Sequence, residues 1–310
     1  MKNDPDIPDK YAAKLSELFS KYESASKEGA SGKMEGIAGT VMSLISMNVD
    51  IDKSENTKLY LDAENALIQG DFDTAETLLR KRLDLEETQM NPALIYKAHS
   101  DLSEFYEYIG DRVQALEEEM KGLELARKSP LLQILGMSLI GVTTCYLRLD
   151  KPLEALEYAN ELLNISSIRK LPDILQARTS ILRAKCYVQL SEIGKAEQDL
   201  ETGWTIVSPM KDGKRMAGYQ SILAMYWEVK AVIFQLENNY AGAIQAIEHA
   251  LEHRTNVCQS PYLSGPYAIY SFIKTLEKLE SLFLQINNED SASQVKNSCM
   301  ELKQFINYPI

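Results

Sequence analysis

A small residue returns at matched points along this chain. Ala75, Ala115, Ala155, Ala196, Ala243 and Ala292 each follow a short polar turn and open an amphipathic stretch, at spacings of 40, 40, 41, 47 and 49 residues. A period in this range marks one supersecondary unit stacked many times. Each unit buries the apolar face that its neighbour cannot bury alone. A single closed core is excluded, and no block of domain size is left over for a second fold.

The local pattern around the alanines is consistent. Segments such as "GDFDTAETLL", "GDRVQALEEEM", "DKPLEALEYAN", "SEIGKAEQDL" and "NNYAGAIQAI" superpose, with a weaker sixth at "NNEDSASQVK". The turns carry Gly70-Asp71, Gly110-Asp111, Asp150-Lys151-Pro152 and Asn238-Asn239. Gly and Asn accept the left-handed conformation that closes a helix, and Pro152 suits the first turn of the next one. An aromatic falls nine residues before the alanine in most units (Tyr106, Tyr146, Tyr187, Phe234, Phe283), and a small residue twelve before it (Ala63, Ser103, Thr143, Ala184, Ala231). The first unit departs, with Ala66 at the aromatic position and Arg82 at the last small one.

That signature resembles the tetratricopeptide repeat, a helix–turn–helix unit with a usual period of about 34 residues. It is fullest in the fifth unit, with Trp227, Ala231, Phe234, Tyr240, Ala243 and Ala250. The longer period is similar to the extended variant of bacterial regulatory proteins and kinesin light chains. The resemblance implies an all-α fold, a right-handed α-α superhelix of about six helix–turn–helix repeats. Two further helices are expected at 9–28 and 33–48, giving twelve to fourteen in all. Residues 1–56 are then an N-terminal helical pair, either a cap or a degenerate repeat. Residues 57–310 form one continuous array with the last helix as cap.

Composition narrows the function. The net charge is −12, from 33 basic and 45 acidic residues. Such a chain lacks the basic surface that nucleic-acid binding relies on. No apolar run approaches the roughly 18 residues of a membrane span. The start "MKNDPDIPDK" lacks the basic and apolar parts of a secretory signal, so a cytoplasmic protein is expected. Four scattered cysteines, Cys145, Cys186, Cys258 and Cys299, form no CxxC and read as reduced packing residues. His249 and His253 share a helix face, but a zinc site needs further ligands. "GASGKMEGIAG" lacks the Gly-Lys-Ser/Thr ending of a phosphate loop. The run Glu117-Glu118-Glu119 reads as a solvated outer face. No catalytic constellation and no cofactor are expected.

The resemblance places a concave groove on the first helix of each unit. Counting back from the alanines gives its lining: Tyr60 and Glu64 from unit one; Lys97, Glu104 and Tyr108 from unit two; Ile140, Thr144 and Arg148 from unit three; Arg178, Ile181 and Lys185 from unit four; Glu228 from unit five. Arg148, Arg178 and Lys185 make the middle locally basic, which suits a protein or peptide ligand with acidic groups. The expected function is a non-enzymatic adaptor or scaffold. The alternative is a regulator whose solenoid changes shape on binding a small molecule or signalling peptide. Self-association into homo-oligomers stays open.

Overall fold

The structure, a computed structural model, describes residues 55–89, 92–129, 131–168, 171–209, 217–258 and 266–306. The expected helical pair at 9–28 and 33–48 lies outside them, as do most of the residues connecting units four to five and five to six. The described residues form twelve helices and no strand. They are α1 Glu55–Ile68, α2 Phe72–Gln89, α3 Pro92–Tyr108, α4 Arg112–Lys128, α5 Leu132–Arg148, α6 Pro152–Ile168, α7 Asp173–Gln189, α8 Ile193–Val207, α9 Ala217–Leu236, α10 Tyr240–Cys258, α11 Pro266–Gln285 and α12 Glu289–Phe305.

The six hairpins are built alike. Each anchor alanine is the fourth residue of its even-numbered helix. Five of the six are wholly buried, and Ala292 is 3% exposed. A methyl group there lets the two helices of a hairpin meet closely. Five residues before each anchor the backbone turns left-handed, at Gly70, Gly110, Asp150, Ser191, Asn238 and Asn287, with φ between 56° and 87°. The next N–H then donates back to a carbonyl of the preceding helix: Lys151 to Tyr146 (3.0 Å), Glu192 to Tyr187 (2.8 Å), Asn239 to Phe234 (2.8 Å) and Asn288 to Phe283 (2.9 Å). This six-to-one bond is the Schellman closure of a helix end. The same residue often caps the helix that follows. Asp71, Asp111, Asn239 and Asn288 accept from the backbone N–H three residues on, which satisfies an otherwise orphaned donor.

Consecutive hairpins stack. Contacts between alternate helices run along the odd series, α3 to α5, α5 to α7 and α7 to α9, so the odd helices form the tighter-curved inner wall. The departure in the first unit has a physical reason. Arg82 is buried, donates to Asn56 and pairs with fully buried Asp101 of α3. An ion pair crosses the interface where other units place Gly122, Gly203 and Ala250.

The curvature brings the last hairpin back to the first two. Helix α11 touches α1 and α3. Buried Tyr108 donates its hydroxyl to the Ile306 carbonyl at 2.8 Å. Its ring packs against Tyr267 and Tyr270, with centroids 5.9 and 5.8 Å away. One apolar cluster therefore joins Ala63, Leu102 and Phe105 to Ile273 and Ile306. Cys145 and Cys186 are buried packing thiols, as their register suggests, and all four cysteines are free. Among the described residues no helix is long and apolar enough to cross a membrane.

Candidate ligand-binding groove

The inner wall is best read helix by helix. On α1, Tyr60 donates to Glu64 at 3.0 Å, and burial pushes the Glu64 carboxyl up to about 7. On α3, exposed Lys97 pairs with Asp101 at 2.6 Å, and Glu104 is exposed. On α5, the Thr144 hydroxyl donates to the Ile140 carbonyl at 2.8 Å, and Arg148 meets Glu107 at 3.1 Å. On α9, Glu228 accepts from Arg254 (2.9 Å), Lys278 (2.7 Å) and Thr275 (3.0 Å). Burial acts to raise that carboxyl, but the two cations outweigh it and hold it well below the usual range.

Helix α7 differs. Among the described residues, neither Arg178 nor Lys185 has a hydrogen bond or an ion pair. The Arg178 Nε is buried without a partner. Burial lowers the affinity of both side chains for their protons, and brings the Lys185 amine down to about 8, with Lys278 adding to the effect. Glu104 acts on Arg178 and Glu228 on Lys185 only from a distance, and a partly desolvated cation with no direct ion-pair partner is costly.

Three expected lining residues are taken out of the groove. Tyr108 is buried in the closing contact, and Ile140 and Ile181 are 4% and 1% exposed within interhelical packing. An inner helix turned to pack on both neighbours buries these positions. The other nine stand on the odd-numbered helices α1, α3, α5, α7 and α9, and Glu228 is already satisfied by protein cations.

The acidic run on α4 is also corrected. Glu118 and Glu119 are buried at 1% and 5% exposure, and only Glu117 faces out. Their positions fall on the buried stripe with Ala115, Gly122 and Ala126. Glu118 lies 2.8 Å from both His99 Nδ1 and Lys121 Nζ; burial opposes ionisation, but these partners hold its carboxyl down to about 2. Glu119 is different. Its Oε2 is buried with no partner, and burial raises its carboxyl to about 7. Aligned on the anchors, other units place Leu79, Ala159, Leu200 and Ile247 at this position. That mismatch is the signal that could have revealed it. Arg254 and Lys278 were also missed. Arg254 stands on the outer helix α10 and Lys278 in the weak sixth unit, so a register confined to the first helices of units one to five reaches neither.

His249 stacks on Trp227 at 4.6 Å and His253 lies 2.7 Å from Gln220. Among the described residues, no group of three or more His, Cys, Asp or Glu side chains is arranged to hold an ion.

No protein-family model matches the sequence, and comparison with curated proteins finds no match either. Solved structures do resemble the fold. The apo form of RapI superposes with a TM-score of 0.55 at 13% identity, over 96% of this chain and 99% of that one. A Rap protein complexed with competence and sporulation factor gives 0.54 at 11% identity, over 97% and 100%. A tetratricopeptide repeat protein from Parabacteroides merdae gives 0.42 at 14% identity, over 82% and 98%. At such identities the likeness concerns architecture. The described chain has a tetratricopeptide-like fold, an α-helical solenoid of stacked hairpins.

Proposed function

We propose that this chain is a non-enzymatic binding module whose inner wall holds a protein segment or peptide by an acidic group. The observation that carries the reading is the unpaired state of Arg178 and Lys185. On the wall Lys97, Arg148 and Glu228 are each closed by a protein partner, whereas these two cations have no hydrogen bond or ion pair among the described residues, in a protein of net charge −12. An acidic group would be drawn to them and repelled elsewhere on the surface. A carboxylate would complete the guanidinium through paired N–H bonds. A further point of support is the Rap structure of similar architecture that is complexed with competence and sporulation factor.

The second reading is a ligand-responsive regulator, favoured by the closing contact between Tyr108 and Ile306. A ligand bridging the inner helices would bias that contact if it bound the open and closed forms with different affinity.

The test is capture of partners from the native cell on wild type and on the Arg178→Glu/Lys185→Glu variant. A captured partner is then titrated at two salt concentrations. The variant should bind more than tenfold more weakly at unchanged helicity, and added salt should weaken the wild type because partly exposed charges are screened. Equal affinity in all four titrations would move the site off this wall.

A further inference from the structure

The wall around Lys185 carries more positive charge than its own acids close. Counted back from the anchors, Arg148 stands seven residues before Ala155, Lys185 eleven before Ala196 and Glu228 fifteen before Ala243. Each step is four residues, about one helical turn, so the three follow a diagonal across α5, α7 and α9. Arg254 of α10 and Lys278 of α11 join that diagonal, because both end on the Glu228 carboxylate. After burial itself, the largest influence on Lys185 is the charge of Lys278, followed by Glu228, Arg148 and Arg254. Among the described residues Lys185 has no direct partner, and these charges reach it only from a distance.

Four cations therefore share this stretch with two paired acids. Glu107 closes Arg148 at 3.1 Å, and the one Glu228 carboxylate is divided between Arg254 and Lys278. Two positive charges are left over. Arg178, about two turns away on α7, also feels Arg148 and Arg254, and Glu104 and Glu119 act on it without ion-pairing. Solvent reaches the stretch, since the Arg148 and Lys278 side chains are 38% and 43% exposed. A single carboxylate would answer one of the two surplus charges and leave the other facing like charge.

We infer that the acidic group held by the groove is a phosphoryl group carried on a peptide, seated on Lys185 among Arg148, Arg254 and Lys278, with Arg178 flanking it. This deepens, and rests on, the reading of the inner wall as a seat for an acidic group of a protein segment or peptide. A phosphoryl group carries nearly two negative charges at neutral pH, which matches the surplus. It also offers three strong acceptor oxygens. Those suit the ammonium of Lys185 as a point charge and a guanidinium as a two-pronged donor. The wall extends over five inner helices, α1 to α9, far longer than an isolated phosphate ion, so the group arrives on a chain.

The experiment dialyses the full chain against mixtures of random hexapeptides with blocked termini. The only acidic position in each mixture is one fixed residue: phosphoserine, glutamate or, as the neutral control, glutamine. Inorganic phosphate is tested beside them. At pH 7.5 wild type should retain the phosphoserine mixture at least tenfold better than the glutamate mixture. That ratio should fall at pH 5.5, where the phosphoryl group is largely singly charged. Lys185→Gln and Lys278→Gln, at unchanged helicity, should each lose most of the ratio; the second leaves Arg254 paired with Glu228. A wild-type ratio near one, with both acidic mixtures held above the glutamine control, overturns the phosphoryl seat and leaves the acidic-group reading standing. A ratio untouched by both substitutions overturns the placement on Lys185. Displacement of the phosphoserine mixture by an equal concentration of inorganic phosphate overturns the peptide as its carrier. Retention of neither acidic mixture above the glutamine control overturns the groove reading and this inference with it.

Discussion

Helices α7 and α9 are neighbours on the inner wall and carry charge at equivalent depth, yet they resolve it in opposite ways. Glu228 of α9 is ringed by Arg254, Lys278 and Thr275. Arg178 and Lys185 of α7 have no such ring among the described residues. A charge that the protein has closed upon itself belongs to the scaffold, because removing it leaves its partners stranded. A charge left open costs the scaffold stability, and it points to something outside the chain. The groove register alone ranked Glu228 with Arg178 and Lys185; the geometry separates them.

Three substitutions sharpen the contrast, beginning with the largest effect. Glu228→Gln should destabilise by about 3 kcal/mol, because breaking a buried pair leaves the opposite charges uncompensated. Urea unfolding measures it, and a loss under about 1 kcal/mol would place Glu228 with the open charges instead. Glu119→Gln should alter how stability depends on pH. The folded carboxyl holds its proton up to about pH 7, whereas the unfolded chain releases it near the ordinary value. The group therefore favours folding below about pH 4, and that contribution is lost as pH rises through 7. The variant should gain on wild type by about 1–2 kcal/mol between pH 5 and pH 8. An identical pH dependence of the two proteins would show that Glu119 titrates normally. Arg178→Gln/Lys185→Gln should change stability least, within about 0.5 kcal/mol or slightly upward, since no hydrogen bond or ion pair is broken. A thermal midpoint several degrees lower would mean that these cations belong to the scaffold after all.

Much of the architecture was written in local chemistry. The six alanines marked the hairpins because a close helix crossing admits only a small side chain. Gly70, Gly110 and Asn238 marked the turns because few residues accept a positive φ. Ser191 escaped notice because serine carries no such preference, although the same fold demand is met there. The groove was less legible. Helical phase tells which residues point inward along one helix, but not how far neighbouring helices rotate to pack. That rotation buried Ile140 and Ile181, and the return of the last hairpin to the first two buried Tyr108. Glu119 was misread for the opposite reason. Three consecutive glutamates look like a solvated surface, and only comparison with Leu79, Leu200 and Ile247 places the third on the buried stripe. Arg254 reaches the wall from an outer helix, which no rule confined to first helices can find.

The bond from Tyr108 to Ile306 bears on how such an array comes apart. An open stack of repeats has two outermost units, each held on one side only, and those units fray before the middle does. Joining the sixth hairpin to the first two gives the end units a second neighbour. Each described unit then sits between others, as in a ring, and losing one exposes apolar surface on both sides. Such a molecule is expected to melt in one cooperative step where a linear stack would melt by stages.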